Sequence, residues 1–120
     1  MNFDEYQKLA IKTDLDAEFL DEVMEKRSLN TVAFINKVLG IAGEAGEFAD
    51  KIKKIMRDKK GEFNDEDREA IIKELGDVLW YVAVVTLYLG MPMSELASKN
   101  IEKLQSRMKR NALQGSGDDR

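Results

Sequence analysis

The sequence has no cysteine, no histidine and a single proline among its 120 residues. Without cysteine there is no disulfide, no thiolate nucleophile, no cysteine-type structural zinc site and no iron–sulfur cluster. Without histidine, the commonest general base and a common transition-metal ligand are both missing. One proline, with 35% charged and 43% apolar residues, suits a helical protein better than a β-sandwich. The apolar run from Val78 to Leu89 is twelve residues long, too short to span a bilayer. The opening Met1-Asn2-Phe3-Asp4-Glu5 has neither the basic nor the apolar segment of a signal peptide, so the expectation is a cytoplasmic protein with no membrane partner. The net charge of −4 gives no argument for nucleic acid as a partner.

The distribution of that charge is more telling. The first fifty residues carry a net −6 and the remainder +2. Lys99, Lys103, Arg107, Lys109 and Arg110 face only Glu102 in the stretch 99–110, a run that by default is a solvated helix face. The length fits one domain, expected over residues 1–110, followed by a polar, glycine-rich tail over 111–120.

Helical periodicity dominates the domain. Phe3, Tyr6, Leu9 and Ala10 predict a first helix over roughly 3–13. Leu15, Phe19, Leu20 and Val23 predict a second piece over 14–26. A long helix follows over 31–58, with Val32, Ile35, Leu39, Ala42 and Ala49 as its apolar positions. Gly40, Gly43 and Gly46 weaken it unless they permit close approach by another helix or a ligand. Asn64 or Asp65 caps a helix over 65–89 that stops at Gly90, and Pro92 opens a last helix over 92–110. The fold class is therefore all-α, a bundle of about four to five helices. A helix as apolar as 78–89 needs cover on nearly every face, which one short chain struggles to give, so self-association is expected.

Two acidic pairs stand out, Glu44 with Glu47 and Glu74 with Asp77. Each has the i, i+3 spacing that places both carboxylates on one side of a helix. Glu44, Glu47 and Lys51 share one stripe of the long helix, and Glu74, Asp77 and Tyr81 share one stripe of the next. If these helices pack antiparallel, the two pairs face each other. Convergent carboxylates repel unless neutralised, and with neither His nor Cys present the fitting partner is a hard cation such as Mg²⁺. A diiron bundle would add Glu-x-x-His motifs, which are missing. Asn100, Lys103 and Arg107 form a stripe on the last helix that suits a polyphosphate. The bland alternative is a polar helix seam, with Lys51 paired to Glu47 at i, i+4, and with Trp80 and Tyr81 as core packing.

These residues resemble the MazG-like all-α nucleoside triphosphate pyrophosphohydrolases. Leu39-Gly40-Ile41-Ala42-Gly43-Glu44-Ala45-Gly46-Glu47, with Ala49-Asp50-Lys51-Ile52-Lys53-Lys54, looks like the family's first acidic block. Lys73-Glu74-Leu75-Gly76-Asp77-Val78-Leu79-Trp80-Tyr81 looks like the second, and Asn100-Ile101-Glu102-Lys103-Leu104-Gln105-Ser106-Arg107 resembles its basic helix. The opening Phe3-Asp4-Glu5-Tyr6-Gln7 and Thr13 also fit. The resemblance implies hydrolysis of a (d)NTP to the monophosphate and pyrophosphate, with Mg²⁺, or Mn²⁺ in its place, on Glu44, Glu47, Glu74 and Asp77. Glu47 or Glu44 would orient or deprotonate the attacking water, and Lys103 and Arg107 would contact the phosphates, with Asn100, Tyr81 and Lys51 as further substrate-binding positions. It also implies a homodimer, or a dimer of dimers forming a homotetramer. Gly43 stands where the family pattern often has a first glutamate, which bears on how many metals are held. A phosphoribosyl-ATP pyrophosphohydrolase would share the chemistry, and a non-catalytic nucleotide-sensing or protein-interaction module is the alternative of a different class.

Overall fold

A computed structural model describes residues 1–118, and among these the regular structure is entirely helical. Five α-helices follow in order: α1 Phe3–Ala10, α2 Leu20–Lys26, α3 Val32–Lys59, α4 Asp65–Tyr88 and α5 Met93–Lys109. Of the expected tail, residues 119 and 120 lie outside the described residues.

The ends of the helices follow from capping chemistry. The Glu5 amide donates to Asn2 Oδ1 and the Asn2 amide donates to Glu5 Oε2, a reciprocal box that starts α1. The Phe34 amide donates to Thr31 Oγ1 at the start of α3, and Asn64 with Asp67 repeats the box at the start of α4. The chain leaves α4 through Gly90, whose φ of 74° is in the left-handed region that glycine tolerates.

The first two predicted helices are shorter than expected. α1 gives way to a 3₁₀ turn at Ile11–Thr13, and only Leu20–Lys26 of the second piece is α-helical, after another such turn at Ala17–Phe19. The intervening Asp14 and Asp16 are drawn to Lys37 of α3. Lys37 Nζ lies 2.6 Å from both Asp14 Oδ1 and Asp16 Oδ2, and the Tyr88 hydroxyl donates to Asp14 Oδ2 and to the Asp16 carbonyl. That network turns Leu15 out to 97% exposure, so Leu15 does not join the apolar stripe predicted for it. Burial opposes the charge on Lys37, but its hydrogen bonds to the two aspartates outweigh this and raise its pKa. Burial and the hydrogen bond to Asp14 likewise push the Tyr88 phenol well above its usual range.

The buried core gathers at one end, where Ala10, Val23, Ala33, Phe34, Ala83, Val84, Tyr88 and Met93 meet. Gln7 ties that end together. Its Nε2 donates to the carbonyls of Ala83 and Met91, and its Oε1 accepts the Met93 amide at the start of α5. Asp4 takes the next α5 amide and hydroxyl, both from Ser94.

α3 and α4 form an antiparallel hairpin. Apart from Ala33, Gly40 and Asp50, the residues of α3 that are not exposed are Phe34, Lys37, Ile41, Glu44, Phe48, Lys51 and Ile55, a repeat of alternating three and four. Asp67, Ile71, Glu74, Val78, Tyr81, Val85 and Tyr88 answer it on α4. This inner seam is not the stripe read from the sequence. Val32, Ile35, Leu39, Ala42 and Ala49 all face outward, with Leu39 63% exposed. The two series are offset by two residues, hence about 200° around the helix, because α3 carries a repeat on each of two opposite faces.

Candidate metal and substrate site

Halfway along the hairpin the seam becomes acidic. Glu44 of α3 and Glu74 and Asp77 of α4 each offer a carboxylate oxygen, and these oxygens all lie within 4.8 Å of one another. Glu44 and Glu74 occupy seam positions that an ordinary helix pair fills with apolar side chains. Antiparallel register brings the groups together, as Lys59 pairs with Asp67 at 2.6 Å and Lys51 with Glu74 at 3.1 Å. Further along, Gly40 lies against the ring of Tyr81, where an added Cβ would collide with it. Gly40 is thus one glycine whose lack of a side chain lets the helices approach.

The electrostatics follow from this crowding. Partial burial, then the charges of Asp77, Glu47 and Glu74, hold the Glu44 carboxyl above the ordinary glutamate range. Glu47 therefore acts on the group from outside the trio of closest oxygens. It lines a groove of about 410 Å³ with Gly43, Gly46, Asp50, Lys51 and Lys54. Among the described residues no atom lies near where a Cβ would sit on Gly43 or Gly46, so these glycines keep that groove open instead of admitting a helix. Lys51 reaches across to Glu74 instead of back along its own helix to Glu47, because Glu74 stands opposite it in the seam.

On the other side, Glu44 and Asp77 open into a cleft of about 340 Å³ with Thr13, Trp80 and Tyr81. Trp80 and Tyr81 meet edge to face with ring centroids 4.8 Å apart. Trp80 is not simply core. Its Nε1 donates to Thr13 Oγ1, and that hydroxyl donates to the Ala10 carbonyl. Tyr6 also comes close, since burial and the charge of Asp77 raise its phenol pKa. Tyr6 and Thr13 belong to the first fifteen residues, and no local spacing relates them to acidic pairs that lie more than thirty and more than sixty residues later.

The basic stripe of α5 is engaged elsewhere. Lys103 and Arg107 both contact Asp118, and among the described residues no ion pair links either of them to the acidic trio. Asn100 is exposed on the same helix. The structure thus brings Glu44, Glu74, Asp77 and Lys51 together with Tyr81 beside them, and sets Glu47 at the edge. Three carboxylates so close, with a lysine paired to only one of them, could hold a hard cation.

Among the described residues no helix is long and apolar enough to cross a membrane. Comparison with known proteins gives a match between residues 34–111 and the family model for the MazG nucleotide pyrophosphohydrolase domain. The matched stretch contains all four acidic residues and the α5 basic stripe. A relative described as Gene 37 protein, from Mycobacterium phage L5, is 50% identical over 82 residues, covering 68% of this chain and 72% of that protein. No solved structure gives a significant match.

Proposed function

The chain belongs to the MazG nucleotide pyrophosphohydrolase domain family, and from that we propose a Mg²⁺-dependent cytoplasmic enzyme that converts a nucleoside triphosphate to the monophosphate and pyrophosphate. The observation that carries this reading is the meeting of the Glu44, Glu74 and Asp77 oxygens within 4.8 Å, at seam positions flanked by Ile41, Phe48, Ile71 and Val78. Carboxylate oxygens suit Mg²⁺, with Mn²⁺ as a substitute. Bound there, the ion supplies positive charge that neutralises both the carboxylates and the phosphate oxygens.

The residues then divide the work. Glu44, Glu74 and Asp77 hold the ion. Glu47, beside the trio but outside it, is free to orient the attacking water and take its proton. The water oxygen bonds to the α-phosphorus as the bridging bond to the β-phosphate breaks, and pyrophosphate leaves. Lys103 and Arg107, with Asn100 on their stripe, stabilise the charge gathering on that leaving group. Tyr81 walls the cleft, and Lys51 holds Glu74 in place. The reading includes assembly as a homodimer or homotetramer, supported by the outward apolar face of α3.

The test is product analysis. With Mg²⁺, the purified protein should release pyrophosphate, and not orthophosphate, from at least one nucleotide of a broad panel of ordinary and modified triphosphates. Glu74→Gln should lower kcat by about 100-fold or more, the scale seen when a group stabilising transition-state charge is removed. Full activity in that variant would sink the metal assignment. Saturable Mg²⁺–nucleotide binding without turnover would make the protein a nucleotide sensor instead.

A further inference from the structure

The last turn of α5 holds a charge whose partner comes from the end of the chain. Arg107 is only 5% exposed, and a guanidinium so buried requires acceptors. Its Nη2 donates to three of them: the Asp118 carbonyl at 2.6 Å, Asp118 Oδ1 at 3.1 Å and the Gly117 carbonyl at 3.3 Å. Lys103 Nζ reaches the same Asp118 Oδ1 at 3.2 Å. Both contacts favour the ionised acid, and the Asp118 carboxyl is held below its ordinary range by Lys103 and then by Arg107. Arg107 Nε, by contrast, is buried and has no hydrogen-bond partner among the described residues.

That imbalance is informative. Nε–H and an Nη2–H lie along one edge of the planar guanidinium, which is the edge that takes an oxyanion through two parallel bonds. Asp118 uses only half of it. A phosphate group, with three oxygens on a tetrahedral centre, can satisfy Nε and Nη2 together and leave an oxygen for Lys103. The present occupant is therefore an imperfect one, and its own side chain is 82% exposed.

We propose that the C-terminal segment is a built-in competitor, with the Asp118 carboxylate standing in the anion site of Lys103 and Arg107 where a substrate phosphate goes. This rests on the reading above that those two side chains bind substrate phosphate. A carboxylate tethered eleven residues from Arg107 is present at an effective concentration on the order of millimolar. It restrains binding at low nucleotide concentration and gives way as nucleotide rises. Because the Asp118 side of the pair is exposed and screened by water, the restraint is small, about two- to fivefold in apparent affinity.

The experiment uses the full-length chain and inorganic pyrophosphate as the probe, with affinity measured by calorimetry in wild type, Asp118→Asn, Lys103→Gln and Arg107→Gln. Asp118→Asn is expected to bind pyrophosphate about two- to fivefold more tightly and to lower KM by the same factor without lowering kcat. High salt should close the gap between it and wild type. Unchanged or weaker pyrophosphate binding in Asp118→Asn, with Lys103→Gln and Arg107→Gln still impaired, overturns the competitor while leaving the phosphate site standing. If neither basic substitution weakens pyrophosphate binding, the phosphate-site reading falls, and the competitor falls with it.

Discussion

Glu44 shows what crowding does to a single side chain. Its carboxyl titrates above the ordinary value of 4.5 because it is partly buried and faces Asp77, Glu47 and Glu74. A raised carboxyl pKa favours the protonated form in the fold, so its stabilising contribution is complete below about pH 4.5 and is lost as pH rises through the folded value. At neutral pH the metal-free protein therefore carries unrelieved repulsion at this point. Glu44→Gln is expected to raise the melting temperature of the metal-free protein at pH 7, with little change at pH 4. The same variant should lose the stabilisation that Mg²⁺ confers on the wild type, by the linkage between binding and folding. Thermal melts with Mg²⁺ and with EDTA at the two pH values check both statements, and a variant less stable than wild type at pH 7 would refute the first. Lys37 is the opposite case, since its partners Asp14 and Asp16 more than offset the burial of the ammonium.

At the scale of elements, the hairpin of α3 and α4 depends on close approach at one glycine and openness at others. Gly40→Ala places a methyl into the Tyr81 ring and is expected to cost about 1–3 kcal/mol, as overpacking does. Gly43→Ala meets nothing and should instead stabilise α3 by roughly 1 kcal/mol through helix propensity. Urea denaturation of the two variants side by side separates packing from propensity. The elements themselves were legible from capping residues, since Thr31, Asn64 and Gly90 mark boundaries that the structure keeps to within a residue or two. What periodicity could not supply was phase. Val32, Ile35 and Leu39 repeat as regularly as Phe34, Lys37 and Ile41, and the face turned inward is the one bearing Lys37 and Glu44. Charge on the inner face disguised it as the outer one. The acidic residues were legible because spacing within a helix is local. Tyr6 and Thr13 fitted the family resemblance but were not legible as neighbours of the site, because the Gln7–Ala83 and Trp80–Thr13 hydrogen bonds that bring their segment to the cleft are tertiary.

As a whole the chain is more extended than its length requires. Its radius of gyration is 17.2 Å, against about 14 Å for a compact domain of this size. α3 alone, at 28 residues, is about 42 Å long. Between residues 38 and 82 no side chain is fully buried, while Leu39, Met56, Phe63 and Ile72 are each more than half exposed. Surface of this kind is ordinarily covered by another subunit. Sedimentation equilibrium is expected to give two or four chains per particle, and Leu39→Glu should shift the protein toward monomer with helix content retained. A monomeric wild type at micromolar concentration would contradict this. One consequence of the core's position concerns the cost of ordering. The acidic trio stands just beyond the last buried layer, where the anchored end of the molecule passes into an arm without fully buried side chains. Conformational entropy left in that arm is given up only when something draws the two helices together. A ligand that bridges the two helices is thus expected to stiffen the chain around it, seen as slower amide hydrogen exchange in the arm when Mg²⁺ and nucleotide are added.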